Sequence, residues 1–125
     1  MRENEIIITY GSDASVMTEA LLKAIGIEAL IGSTDAHIVL KPNLVVAVKP
    51  DGGATTHPEI AIAIIEYLKA RGYHNISIVE SAWVGDSTER GFKVNGYYEI
   101  RDRYDVPLVD VKRDEYVTQK AGGIT

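Results

Sequence analysis

The residues best suited to chemistry form two short polar segments. Lys41 and Asn43 follow an apolar run, and Thr55, Thr56 and His57 precede a proline, which is typical of the first turn of a helix. Lysine supplies a full positive charge, while asparagine and threonine supply neutral donors. A helix start adds free backbone N–H groups and a partial positive charge. Together these groups predict a pocket for a small anion, either a phosphate or a carboxylate.

Each of these residues also has a plain structural interpretation. Thr56 and Glu59 fit a capping box, in which the threonine accepts from the N–H of Glu59 and the glutamate reaches back to Thr56. Lys41 can be a solvated side chain at a strand end. His57 can be an exposed bystander rather than an acid, a base or a metal ligand. The sequence leaves both interpretations open.

Two further features are less specific. A metal site would need Asp13, His57, Glu80 and Asp86, but their spacing is not that of a ligand set, so no metal is predicted. Trp83 follows a predicted strand end and precedes a glycine. It can either stack on a ligand or pack over the edge of the sheet.

Alternating β-branched runs and helical patterns predict the elements that position these residues. Strands are predicted at Ile6–Ile8, His37–Leu40, Asn75–Glu80 and Pro107–Val111. Helices are predicted from Ala14 to Ile25, from the Thr56–Glu59 cap to Gly72, and over Tyr97–Tyr104, with a second capping box at Asp86–Glu89.

This order predicts an α/β fold with a mostly parallel sheet of about four strands and flanking helices, in Rossmann-like βαβ units. Ligands of such sheets bind beyond the carboxyl ends of the strands. The rule places Lys41, Asn43 and the helix start at Thr56 on one rim, together with Glu80, Ser81 and Asp110.

Composition narrows the function classes. The 125 residues suit a single domain over 1–125, and the net charge of -5 disfavours binding to nucleic acid. The absence of cysteine excludes a thiolate metal site, a cysteine-ligated cluster and a cysteine nucleophile within this chain, and fits a cytoplasmic location. No apolar run is long enough for a membrane span. The sequence also lacks the phosphate-loop, dinucleotide-binding and serine nucleophile-elbow motifs, which argues against a standard nucleotide kinase, a dinucleotide site and a serine hydrolase.

Two motifs carry a family resemblance. Leu40-Lys41-Pro42-Asn43-Leu44 and Gly53-Ala54-Thr55-Thr56-His57-Pro58-Glu59 together resemble the bacterial and archaeal family called domain of unknown function 362. The likeness continues through Ser77–Ser81, Gly96-Tyr97 and Leu108–Asp110, and it covers most of the chain. It favours Lys41, Asn43, Thr55, Thr56 and His57 as members of one ligand-binding site.

The resemblance also implies a context. Many relatives carry a ferredoxin-like segment and are described as iron–sulfur proteins, and they are usually longer than this chain. Because this chain lacks cysteine, we expect no cofactor within it and any iron–sulfur cluster elsewhere in a longer protein, of which these residues would be the N-terminal portion.

Two function hypotheses follow, and catalysis itself is left open. The first is a small-anion or carboxylate-binding part of a larger, redox-linked protein. The second is a non-catalytic interaction or structural module. In either case an uncovered sheet edge or helix face predicts self-association, because unpaired edges and apolar patches attract partners.

Overall fold

The structure, a computed structural model, describes residues 4–118. The helices are α1 (Ala14–Ile25), α2 (Ile27–Ile31), α3 (Pro58–Lys69), α4 (Thr88–Val94) and α5 (Tyr97–Tyr104), and a 3-10 turn spans Pro50–Gly52. The strands are β1 (Ile38–Leu40), β2 (Ile76–Glu80) and β3 (Leu108–Asp110). None of the helices within residues 4–118 has the length and apolar character needed to cross a bilayer.

The three strands form one parallel sheet in the order β1-β2-β3. Leu40 aligns with Ile78, and Glu80 aligns with Asp110. The α/β class and the parallel pairing of these strands are therefore confirmed. Because the strands are parallel, their carboxyl ends share one rim, where Lys41 follows β1 and Asp110 ends β3.

The core lies between one face of the sheet and the helices. Alternate strand residues point to this face, and they pack with buried residues of α1, α3 and α5. The strand members are Ile38, Leu40, Ile76, Ile78 and Leu108, and the helix members include Leu22, Ile65, Leu68, Tyr97 and Ile100. The intervening strand residues lie outside this cluster. Val39 is 48% exposed, and Ser77 is covered by His37, whose Nε2 lies 2.9 Å from its hydroxyl.

Local capping explains where the two long helices end. Asp13 accepts a hydrogen bond from the N–H of Val16 and so begins α1, and Gly26 follows the helix in the left-handed region at φ 64°. After α3, the N–H of Tyr73 donates to the carbonyl of Leu68, and Gly72 adopts φ 88°. This is a Schellman-type ending, and it places the last helical residue, Lys69, three residues before the predicted Gly72 stop.

The predicted strand at Ile6–Ile8 is wrong within the described residues, so the sheet has three strands rather than four. The segment is irregular, and Ile6 and Ile8 are 86% and 64% exposed. A β-branched run expresses only a preference for extended backbone, and a strand also needs a neighbouring edge to pair with. Helix α2 was not predicted; it begins directly after Gly26, which turns the chain at the end of α1.

Candidate functional site

A buried carboxylate lies at the centre of the rim. Glu80, the last residue of β2, is only 1% exposed. Its Oε1 accepts from Lys41 Nζ at 3.1 Å and from the N–H of Ser81 at 2.6 Å, and its Oε2 accepts from the N–H of Leu44 at 2.6 Å. A carboxylate out of water is tolerated only when it is paired and hydrogen-bonded, and Glu80 has both kinds of partner.

This contact settles how Lys41 is placed. The side chain of Lys41 is 59% exposed, yet its ammonium group is anchored on Glu80. The side chain is therefore solvated, as in the plain interpretation, and ion-paired as well. The sequence named Glu80 as a rim residue and as a member of the metal set, but not as the partner of Lys41. The available signal was a charged residue that ends a mostly apolar strand.

The segments Lys41–Asn43 and Thr55–His57 meet in space. The N–H of Asn43 donates to Thr56 Oγ1 at 2.8 Å, and the N–H of Thr56 donates to the carbonyl of Asn43 at 2.9 Å. The side-chain amide of Asn43 donates to the carbonyl of Ala54 at 2.9 Å. These bonds hold the start of α3 beside the end of β1, as the parallel-sheet rule predicted.

The same bonds contradict the predicted capping box. The residue that caps α3 is His57, and it makes no side-chain capping bond. The hydroxyl of Thr56 is turned to Asn43 instead of the helix, because a long-range partner is available to it. The carboxylate of Glu59 lies 3.9 Å from His57 Nδ1, and both side chains are more than half exposed.

Thr55 has a different place from its neighbours. It is 6% exposed, and its hydroxyl donates to the carbonyl of Val48 at 3.3 Å, with Asn95 Oδ1 at 3.4 Å. A buried hydroxyl with these partners anchors the loop that joins β1 to α3 and does not face the solvent. Lys41, Asn43 and His57 are exposed, and Thr56 is half-buried.

A groove of about 270 Å³ opens between β1 and α3. Its wall is mostly apolar, and Lys41 and Thr56 contribute the polar groups. The lining residues are Val39, Leu40, Lys41, Pro42, Thr56, Ile60, Ala61 and Ile64. Such a groove can hold a small ligand that has an apolar body and one negatively charged group.

The second half of the rim is tied together around Asp86. Its carboxylate accepts from the N–H of Ala47 at 2.8 Å and the N–H of Ser87 at 2.7 Å, and it pairs with Arg90 at 3.0 Å. The hydrogen bond from the N–H of Ala47 does most to lower the pKa of Asp86, and the bond from the N–H of Ser87 lowers it further. Asp86 was predicted to begin the capping box of the next helix. The residue that caps α4 is instead the following one, Ser87, which accepts from the N–H of Arg90.

Thr88 joins the ends of β2 and β3. Its hydroxyl accepts from the N–H of Ala82 at 3.1 Å and donates to Asp110 Oδ1 at 2.9 Å. Within residues 4–118, no three histidine, aspartate or glutamate side chains are grouped as a metal site, so the set Asp13, His57, Glu80 and Asp86 does not come together.

The environment of Glu80 leads to a stability prediction. Glu80→Ala removes the acceptor of two backbone N–H groups and the partner of Lys41. The N–H of Leu44 is buried, and an unsatisfied buried donor costs about 1–3 kcal/mol. We expect a loss of about 2–4 kcal/mol in the free energy of unfolding, measured by urea titration. The matched control is Glu89→Ala, which removes an exposed pair with Arg113 and should cost less than about 1 kcal/mol. Equal losses in the two variants would contradict the central role of Glu80.

The lowered pKa of Asp86 predicts an acid dependence. A carboxyl whose pKa in the folded chain is below its ordinary value of 3.8 stabilises the fold above that value, and this contribution is lost as pH falls through the folded pKa. Urea unfolding from pH 6 to pH 3 should therefore show a difference between wild type and Asp86→Asn that shrinks below about pH 4. Curves that stay parallel over this range would refute the prediction.

Comparison with known proteins adds one finding. The family model described as "Domain of unknown function (DUF362)" matches residues 38–125, a span that contains the whole sheet and both motifs of the rim. Searches among curated proteins and among solved structures find no match. Because the match extends over more than half of the sequence, the chain belongs to the domain of unknown function 362 family.

Proposed function

We propose that this chain is a small-anion or carboxylate-binding part of a larger, redox-linked protein, with Lys41 as the charged contact. One observation carries the proposal: Lys41, which lines the apolar groove, has its Nζ held 3.1 Å from the buried carboxylate of Glu80. An ammonium group has three hydrogens. Glu80 is its sole hydrogen-bond partner among the described residues, so donors remain for a ligand.

The ion pair with Glu80 limits the strength of binding without preventing it. Two backbone N–H groups also donate hydrogen bonds to the carboxylate of Glu80, so Lys41 is not the only group that compensates its negative charge. A ligand anion would place itself on the solvent side of the ammonium group, opposite Glu80. Charge-assisted hydrogen bonds of this kind are stronger than neutral ones.

The surrounding residues favour a ligand that is small and partly apolar. Thr56 lines the groove, and the exposed residues Asn43 and His57 follow its lining residues Pro42 and Thr56 along the chain. Thr55 supports the site from behind by anchoring the loop. A short carboxylic acid fits this combination, and so does a phosphate whose organic part lies on the apolar wall.

The redox-linked context rests on the resemblance of the chain to iron–sulfur-associated relatives. The 125 residues contain no cysteine, so cluster ligands would come from other residues of a longer protein. A reducing, cytoplasmic compartment is part of the same proposal.

Binding at Lys41 is tested by calorimetric titration with phosphate, sulfate and acetate. Lys41→Ala should weaken binding by about 1.5–3 kcal/mol, the usual cost of losing a hydrogen bond to a charged group. Because this change also removes a partner of Glu80, unfolding of the variant is measured alongside. Lys41→Arg keeps the charge and should retain most of the binding, and Lys49→Ala removes an exposed lysine of the following loop as the control. Equal binding by wild type and Lys41→Ala would refute the proposal.

A second candidate function is an interaction module, and the free edge of β1 favours it. In the described part of the chain, β1 pairs with β2 alone, and residues of β1 and α3 line the apolar groove. The β-branched segment Ile6–Thr9 is the proposed occupant. Since α1 follows this segment and packs on α3 in the helix layer, a strand there would complete a four-stranded, Rossmann-like sheet with a right-handed crossover.

Self-association is proposed to follow from exchange of this segment, with Ile6–Thr9 of one copy pairing with β1 of another. Light scattering of wild type should then show a mass that rises with concentration. Ile8→Asp should abolish the rise, because a charge facing an apolar groove opposes pairing. Leu30→Asp, on exposed α2, is the matched control. A monomeric mass for wild type at all concentrations would contradict this proposal.

A further inference from the structure

We infer that the indole of Trp83 is a stacking surface for a planar aromatic ring, so that the anion bound at Lys41 belongs to an aromatic ligand. This inference rests on the proposed anion site and names its ligand class. The class is an aromatic ring that carries a carboxylate or a phosphate.

The first observation is the position of the indole ring. Trp83 does not pack into the core; it is 61% exposed and lies over the backbone of Gly85. A Cβ atom at Gly85 would lie 2.2 Å from Cζ3 and 2.7 Å from Cε3 of the ring. The indole therefore rests on a glycine that leaves room for it, while most of its surface remains open to solvent.

The second observation is that hydrogen bonds hold the backbone of the loop that carries Trp83. The N–H of Trp83 donates to the carbonyl of Val45 at 2.9 Å, and its carbonyl accepts from the N–H of Asp86 at 2.9 Å. Lys112 Nζ donates to the carbonyls of Trp83 and Asp86 at 3.2 and 3.3 Å. A surface that is already ordered loses little conformational freedom when a ligand binds.

The third observation connects Trp83 with Lys41. Glu80 accepts hydrogen bonds both from Lys41 Nζ and from the N–H of Leu44. The next residue, Val45, accepts with its carbonyl from the N–H of Trp83. Lys41 and Trp83 also follow carboxyl ends of neighbouring parallel strands. The cation and the aromatic side chain are therefore both linked to the segment that follows β1, Lys41 as its first residue and Trp83 through Val45.

This arrangement selects the ligand chemistry. The other aromatic contacts of the rim side, Phe92 with Tyr97 and with Tyr98, are contacts of the core. Trp83 is the exposed aromatic side chain of the segment that follows β2, the strand whose last residue, Glu80, holds Lys41. Aromatic rings stack on such a surface whatever their hydrogen-bonding groups, so recognition requires a planar ring and an anion but no phosphate-loop motif.

The experiment uses the fact that Trp83 is the only tryptophan of the chain, so its fluorescence reports on this one position. The probes are two matched pairs: adenosine monophosphate with ribose 5-phosphate, and benzoate with acetate. In each pair the aromatic member should bind tighter, by roughly 5- to 100-fold for a stacked base, and should alone quench the fluorescence. The first pair reports on phosphates and the second on carboxylates.

Three variants separate stacking from a structural role, with affinities measured by calorimetry. Trp83→Phe should keep most of the advantage of the aromatic probe, and Trp83→Leu should remove it while acetate and ribose 5-phosphate bind as before. Gly85→Ala keeps the tryptophan but displaces its ring, because the new Cβ would overlap it. It should also remove the advantage.

The outcomes distinguish this inference from the anion site itself. Equal affinities within both pairs, with unchanged fluorescence, would overturn the stacking surface and leave the anion site standing. Failure of ribose 5-phosphate, acetate and inorganic phosphate to bind would overturn both. An aromatic advantage that survives in Trp83→Leu and in Gly85→Ala would overturn the assignment to Trp83.

Discussion

The arrangement of the rim depends on one interaction, the satisfaction of a buried negative charge at the end of β2. Glu80 has no access to water, so its oxygens must be matched within the protein. They are matched by Lys41, by the N–H of Leu44 and by the N–H of Ser81. The charge thereby determines the path of the chain beyond β1, and with it the position of the start of α3.

The remaining contacts of the rim extend from this centre. The segment after Leu44 reaches Trp83 and Asp86 through backbone bonds, and the start of α3 is joined to Asn43. The rim thus combines one anchored cation, one apolar groove and one exposed aromatic ring. These are the elements on which the proposed binding of a small amphipathic anion rests.

The sequence predicted what local chemistry decides. Helix α1 was predicted with its bounds, because Asp13 and Gly26 cap it from adjacent positions, and the three paired strands were found because each is a short apolar run. The two motifs also came together as expected. The failures involve distant partners. Lys41 and Glu80 are 39 residues apart, and Thr56 exchanged a local cap for Asn43, 13 residues away. Ile6–Ile8 has the composition of a strand but pairs with neither edge of the sheet in the described structure.

The place of β2 in the middle of the sheet has a consequence for the dynamics of the site. Its backbone is bonded on both sides, whereas β1 is three residues long and bonded on one side. Local opening therefore begins at the edge strand, and the central strand is among the last to exchange its amide hydrogens with solvent. Lys41 is then carried by the part of the sheet that opens most readily, and Glu80 by the part that opens least. A bound anion would hold the edge strand closed, so occupancy of the rim and protection of β1 would rise together.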